Sequence, residues 1–317
     1  MDTDKLYDVI MIGAGPAALS AAIYTTREDI DTLLFERGVP GGLAAVTDWV
    51  DNYPGFPDGL SGLDLAEGLR KQAERFGAVI ELGEVLSIRD EGDHKLLETT
   101  SGEVKAKAVL LAMGSDYKKI GVPGEVEYYA RGVHYCATCD GAFYRDKRLV
   151  VVGGGNSAVQ EAIFLTRFAT HIDLLVRSDH FRASDVLVKE LAKHADKITV
   201  HMNTTTDEIV AVDNKIVKVV GTDKTTGNKV DFPTDGVFIF AGLIPNTQFL
   251  KDTCILLDEI GFVLTDEHLQ TRMPGVFAAG DVRSGATMQI ASAAGEGATA
   301  ALKLREYLEG KPHPIAN

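Results

Sequence analysis

Two cysteines stand three residues apart in Cys136-Ala137-Thr138-Cys139-Asp140. At that spacing, on a tight turn or helix start, two thiols can close a disulfide reversibly, and one thiolate is often activated by its neighbours. A zinc site would need four ligands, and the remaining cysteine, Cys254, is distant in the sequence. The polar surroundings (His134, Thr138, Asp140) speak against an inert core pair. A redox dithiol without metal is therefore expected. Asp140, beside Cys139, is the candidate general acid that reprotonates a leaving thiolate. His134 is given a packing or solvent-facing role, and Cys254 is read as a buried small hydrophobe.

A second chemistry lies on either side of this pair. Residues 8–24, DVIMIGAGPAALSAAIY, and residues 148–164, RLVVVGGGNSAVQEAIF, repeat one pattern of apolar run, glycine turn and small-residue stretch. Both contain G-x-G-x-x-A, at Gly13, Gly15, Ala18 and at Gly153, Gly155, Ala158, with Pro16, Ala17 and Asn156, Ser157 between them. The first glycine permits the tight turn, the second lets a pyrophosphate approach the backbone, and the third small residue lets helix and strand pack closely. The pyrophosphate then meets the unpaired N–H groups of a helix N-terminus. Two such matches predict two dinucleotide sites. They differ where an adenosine ribose would be read. After the first, a strand over 32–35 ends at Glu36, an acceptor for ribose hydroxyls. The same count from Gly153 reaches Val176, then Arg177, Ser178 and Arg182. No carboxylate stands there to repel a 2′-phosphate and two guanidiniums stand near, so the second site is expected to take NADP.

These residues need parallel strands feeding helices, and the rest of the chain supplies more of the same. Residues 271–281 read as a turn into a strand ending in Gly280-Asp281, followed by an Ala- and Gly-rich helix over 290–301 suited to packing on something flat. Its N-terminus near Gln289 would favour negative charge on a reduced flavin ring. The 317 residues are 45% hydrophobic and 25% charged, enough for a sizeable core. A net charge of −14 makes nucleic acid and anionic membranes poor partners. Apolar runs such as 237–244 and 108–113 are too short to span a bilayer. With three cysteines and no basic leader, a reducing, cytoplasmic setting is expected.

Taken together, GAGPAALSAA, VDNYPGFP at 50–57, CATCDG, GGGNSAVQEA, FRAS, GLIPNT and PGVFAAGDV resemble, in order and spacing, the low-molecular-weight bacterial-type thioredoxin reductases. The resemblance covers essentially the whole chain. It implies an α/β fold of two Rossmann-like, three-layer ββα dinucleotide-binding domains. An FAD domain at 1–117 and 247–317 would be interrupted by an NADPH domain at 118–246 carrying the Cys pair, with hinges near Lys118-Lys119 and Pro245-Asn246. It implies a homodimer, with Cys139 facing the flavin, Cys136 exchanging with thioredoxin or a thioredoxin-like protein, Asp140 as the acid, and rotation of the inserted domain between half-reactions. Gly41, Gly42, Leu43, Asn52, Gly280, Asp281, Met288, Gln289 and Ile290 join the first glycine motif and Glu36 as flavin-side candidates. Three positions depart from the family pattern. Leu43 replaces a glutamine that would touch the isoalloxazine, Val176-Arg177-Ser178 replaces His-Arg-Arg, and Met288 stands where an arginine is frequent.

Other functions share parts of this pattern. A ferredoxin–NADP reductase or NAD(P)H oxidase would have no use for the Cys pair, and nor would a nucleotide-sensing module. A reductase of a peroxiredoxin system usually carries an extra N-terminal thioredoxin-like module, not expected ahead of a strand that begins by Tyr7. The same flavin and dithiol with NADH or another donor, or working as a dithiol oxidase, is the alternative that the depleted basic set keeps open.

Overall fold

The computed structural model describes residues 3, 5–47 and 49–311. The described residues fold as two units, one within Met1–Asp116 and Ile244–Asn317, the other Tyr117–Leu243.

In the first unit the strand Leu6–Ile12 is apolar almost throughout because both of its faces are covered. Val9 and Met11 enter one core and Ile10 and Ile12 the other, as the two-residue period of a strand requires. The strand is flanked in parallel by Thr32–Glu36 and Gly102–Leu111, with Val79–Leu82 beyond the former. Gly102–Leu111 serves both segments of the unit. Its first half pairs antiparallel with Lys95–Thr99, and its last three residues pair in parallel with Val276–Ala278, from the second segment. One face is covered by the helices Pro16–Arg27, Gly62–Arg75 and Ile290–Leu308, the other by the antiparallel strands Val85–Asp90 and Lys95–Thr99.

The helix Ile290–Leu308 packs on the sheet, and its small side chains also admit another helix. Gly297 sits on the carbonyl of Ala17, where no Cβ would fit, and the Ser20 hydroxyl donates to the Ala294 carbonyl at 2.7 Å.

The second unit repeats the three layers. Five parallel strands run in the order Ile198–His201, His171–Leu175, Arg148–Val152, Gly236–Ile239, Val133–His134. Leu149 and Val151 face the helix Asn156–Leu165, while Val150 faces an antiparallel three-stranded sheet of Glu208–Val212, Lys215–Thr222 and Lys229–Pro233. Among the described residues no helix is long and apolar enough to cross a membrane.

Candidate functional site

Val133–His134 is the short edge strand of the second unit, and the chain leaves it through Tyr135 into Cys136, the N-cap of the helix Ala137–Asp140. The cap residue is extended and the next residues are helical, which brings Cys136 and Cys139 to a Cα–Cα distance of 5.4 Å and closes a disulfide between them. The Cys139 backbone N–H donates to Cys136 Sγ at 3.2 Å, and the Thr138 hydroxyl lies 3.5 Å from the same sulfur.

The helix ends on Asp140, whose carboxylate lies 3.0 Å from His134 Nδ1. His134 is 6% exposed, so of the two roles expected from its sequence it takes the packed one, not the solvent-facing one. Its Nε2 lies 2.7 Å from the Tyr144 hydroxyl. Burial pushes the Tyr144 phenol well above its ordinary range, and Asp140 and Asp235 push it further. On the other side of the turn the Tyr135 hydroxyl donates to Glu125, a fully buried carboxylate that also accepts from the Ile120 and Gly121 N–H groups. The dithiol turn is thus fixed from both flanks.

The two glycine loops are built alike. Gly13 N–H donates to the Phe35 carbonyl at 2.7 Å and Gly153 N–H to the Leu175 carbonyl at 3.0 Å, each residue holding a positive φ at which a side chain would strike the neighbouring strand. Gly15 and Gly155 are the N-caps of Pro16–Arg27 and Asn156–Leu165, neither with a side-chain cap, and a Cβ on either glycine would meet open space. Uncapped helix N–H groups therefore face room for an anion. Pro16 opens the first helix, and Ala17 and Ala18 are buried in it; Ser157 and the buried Ala158 follow Asn156 in the second.

Beyond Phe35 and Leu175 the loops diverge. Glu36 accepts from the N–H groups of Ala14 and Gly38, both at 2.8 Å. Its counterpart Val176 is buried against Gly154. The second loop is held without a carboxylate: Arg182 and Ala183 N–H donate to the Gly154 carbonyl, and Asn156 Oδ1 accepts from Ser184 N–H. Beside it opens a cavity of about 300 Å³, lined by Gly153, Gly154, Arg177, Ser178, Arg182, Lys118, Lys119 and Thr204 to Thr206 among others, with no carboxylate in its wall. The Thr206 hydroxyl there is buried and has no hydrogen-bond partner among the described residues. Lys118, Lys119 and the threonines carry no motif; only the tertiary fold brings them to this wall.

In the first unit, Gly41 N–H donates to the Ala14 carbonyl, and Gly42 lies against Gly15. Leu43 sits half-buried in the short helix Gly42–Ala45. Gly280 packs on Ala17 and Ala293, its N–H donating to Glu296, which also holds Arg283 through 2.8 and 3.1 Å bonds. Burial, then the neighbouring Glu296, raises the Asp281 carboxyl to about 6. The Asn52 amide donates to Gln289 Oε1 at 3.0 Å, and Gln289 donates to the carbonyl of Met288, which has a positive φ of 57° ahead of Ile290. Cys254, read from sequence as buried, is exposed. It lies in an irregular segment whose flanking residues, Leu250 and Ile255, take the interior positions.

The comparisons agree on one family. A family profile described as pyridine nucleotide-disulphide oxidoreductase matches residues 7–297. The thioredoxin reductase of Bacillus subtilis (strain 168) is 43% identical over 309 residues, 98% of this chain and 97% of that protein. That of Treponema pallidum (strain Nichols) is 40% identical over 311 residues, 98% and 99% of the two chains. The crystal structure of thioredoxin reductase from Streptococcus pyogenes MGAS5005 is similar at a TM-score of 0.92 and 41% identity, covering 96% of this chain and 99% of the other.

Proposed function

The chain belongs to the pyridine nucleotide-disulphide oxidoreductases, within them to the thioredoxin reductases, and on that footing we propose that it carries electrons from NADPH through FAD and the Cys136–Cys139 dithiol to thioredoxin or a thioredoxin-like protein. The observation that carries this reading is the disulfide in a unit whose nucleotide cavity has four cations and no carboxylate in its wall.

The residues present fit both cofactors. For FAD, Gly13, Gly15 and the uncapped start of Pro16–Arg27 offer N–H groups and room to a pyrophosphate, and Glu36 keeps free lone pairs for ribose hydroxyls. Asp281 brings a partly buried carboxylate with acceptor capacity that a polyhydroxyl chain would use. Gly41, Gly42, Leu43, the Asn52–Gln289 pair, Met288 and Ile290 complete this set. For NADPH, Gly153, Gly155, Asn156, Ser157 and Ala158 would seat the pyrophosphate, and the Thr206 hydroxyl, unpartnered among the described residues, awaits a ligand atom. Arg177, Ser178 and Arg182 would take the 2′-phosphate, with Lys118 on the same wall. When bound, the pair supplies hydride transfer from nicotinamide to flavin and two electrons to the disulfide.

The chain's own residues do the rest. The four-residue helix holds the two sulfurs at bonding distance, so the dithiol closes again without rearrangement of the turn. Cys136 is assigned the exchange with the partner's disulfide, Cys139 the flavin side, and Asp140 the proton for a departing thiolate. The units Met1–Asp116 with Ile244–Asn317 and Tyr117–Leu243 take the FAD and NADPH roles respectively. A homodimer in the cytoplasm is part of the proposal on the resemblance alone.

Anaerobic titration of the purified protein tests it, following flavin absorbance and free thiols. NADPH should bleach the flavin at low concentration with two thiols appearing, and NADH should do so poorly. Bleaching by dithionite but by neither nucleotide would remove the donor assignment.

A further inference from the structure

We infer that His134 is a positioning residue and proton store for Asp140, refilling the carboxyl group each time it reprotonates a thiolate. This rests on the reading of Asp140 as the acid of the dithiol reaction.

The geometry is specific. His134 is buried, yet each ring nitrogen has one polar partner: Nδ1 lies 3.0 Å from the Asp140 carboxylate and Nε2 2.7 Å from the Tyr144 hydroxyl. The ring cannot turn away, because Phe238 stacks on it at 5.1 Å and Tyr144 meets it edge-on at 5.3 Å. A packing role alone would be served by an apolar side chain; a buried imidazole between a carboxylate and a hydroxyl is costly unless both bonds are made. Each element around the ring contributes one group. The dithiol helix supplies Asp140, the turn Gly141–Tyr144 supplies Tyr144, and the strand Gly236–Ile239 supplies the neutral Phe238. Tyr129 and Asp235 stand farther out, Tyr129 sensing Asp140 and Asp235 acting on Tyr144. Both phenols are held protonated, and no lysine or arginine pairs with Asp140 among the described residues.

A carboxyl group in water titrates near 3.9 and an imidazole near 6.5. A lone aspartate at neutral pH therefore holds a proton only about one part in a thousand of the time. At 3.0 Å the His134 Nδ1 places a proton donor directly on the Asp140 carboxylate whenever the imidazole is protonated. With Nε2–H donating to Tyr144 before and after transfer, Nδ1 is the nitrogen that exchanges with Asp140.

The proton and electron balance closes. On taking up two electrons the Cys136–Cys139 bond breaks, leaving two sulfur anions. The Nδ1 proton of the imidazolium passes to the Asp140 carboxylate and on to Cys139, leaving His134 neutral and Asp140 ionised. Cys136 remains a thiolate, attacks the partner's disulfide, and one partner sulfur leaves as thiolate. Cys139 then returns its proton through Asp140 to His134 and attacks Cys136, re-forming the disulfide and releasing the second partner thiolate. Solvent protonates both partner sulfurs.

The test compares His134→Ala, His134→Asn and Tyr144→Phe in the full-length flavin-loaded enzyme. Turnover with a disulfide substrate is followed from about pH 5 to about pH 9, and flavin bleaching by NADPH is followed separately in single turnover. Asparagine can hold the carboxylate but cannot store a proton. The expected result is an approximately tenfold loss of neutral-pH turnover in both His134 variants, shrinking toward the acid end, with bleaching rates unchanged. Tyr144→Phe, which leaves the core volume intact, should move the profile in the same direction by less. Profiles that superpose on the parent, or full rescue by asparagine, would overturn the proton store. If the parent enzyme itself reduces no disulfide, it is the proposed function that has failed.

Discussion

Asp281→Asn should make the flavin-free protein more stable and the flavin-loaded protein harder to assemble. Burial is the first cause of the raised Asp281 carboxyl and Glu296 the second; Glu296 cannot retreat because it is tied to Arg283 and to the Gly280 N–H. The group therefore binds a proton more tightly in the folded flavin-free state than in the unfolded chain. Its contribution to stability is fully present below 3.8 and is lost as pH rises through about 6. At 1.36 kcal/mol per pH unit that rise corresponds to a contribution on the order of 3 kcal/mol, absent at pH 7. Asparagine has the same shape and no charge to bury, so the variant should exceed its parent at pH 7 by up to about that amount and draw level near pH 4. Other carboxylates with depressed values, such as Asp173 and Asp258, tilt both curves alike, so the difference between the two proteins is the quantity to read. Denaturant unfolding of the deflavinated proteins between those pH values measures it. A charged acceptor facing a ligand hydroxyl is worth about 1.5–3 kcal/mol, so FAD affinity, read by quenching of flavin fluorescence, should fall about tenfold to a hundredfold. Equal stabilities at pH 7 would refute the burial argument, and unchanged FAD affinity would refute the role of Asp281 as a ligand.

Three further outcomes are expected. Cys136→Ser and Cys139→Ser should each abolish disulfide reduction while leaving flavin bleaching by NADPH intact; stopped-flow absorbance separates the two, and surviving turnover in either would end the dithiol assignment. Arg177→Ala should raise KM for NADPH about tenfold and hardly change that for NADH, because a guanidinium discriminates only through the 2′-phosphate. Equal effects in steady-state assays with both nucleotides would remove that assignment. Gly297→Val should lower stability by about 1–3 kcal/mol, since any Cβ there meets the Ala17 carbonyl and the two helices must part; calorimetry showing no loss would mean the helix contact is slack.

What the sequence discloses is what local backbone geometry demands. Gly13 and Gly153 stand out because the turn from strand to helix needs a positive φ at that position, and the equal count to Glu36 and Val176 follows from two copies of one strand–helix–strand unit. The Cys136–Cys139 pair is legible for the same reason: both sulfurs belong to one turn. The contact between His134 and Asp140 escapes this reading. The two are six residues apart, across a strand end, an N-cap and a helix, and no periodicity of either element brings such positions together. Lys118, Lys119 and Thr206 reach the wall of the cavity beside Gly153 only through the tertiary fold. Cys254 misleads because cysteine is among the most buried residue types, whereas here two stronger apolar neighbours have taken the interior.

The two glycine loops also differ in how they are secured, so replacing one residue would not turn one of the proposed nucleotide sites into the other. Glu36 has two tasks, since its carboxylate ties down Ala14 and Gly38 while offering its remaining lone pairs outward. Removing that carboxylate to admit a phosphate would also release the loop. In the second copy the loop is secured without a carboxylate: Arg182 and Ala183 hold Gly154 by backbone N–H groups, and Asn156 holds Ser184. The segment that supplies these bonds also carries Arg182 to the cavity wall. Loop anchoring and the proposed phosphate contact thus belong to one stretch of chain, and the loop is held while Val176 is apolar and buried. In the first unit Gly41 N–H holds the Ala14 carbonyl in the same way, but the Ala14 and Gly38 N–H groups depend on the Glu36 carboxylate, so a carboxylate-to-valine change there would leave both without their acceptor and the loss would appear in the loop.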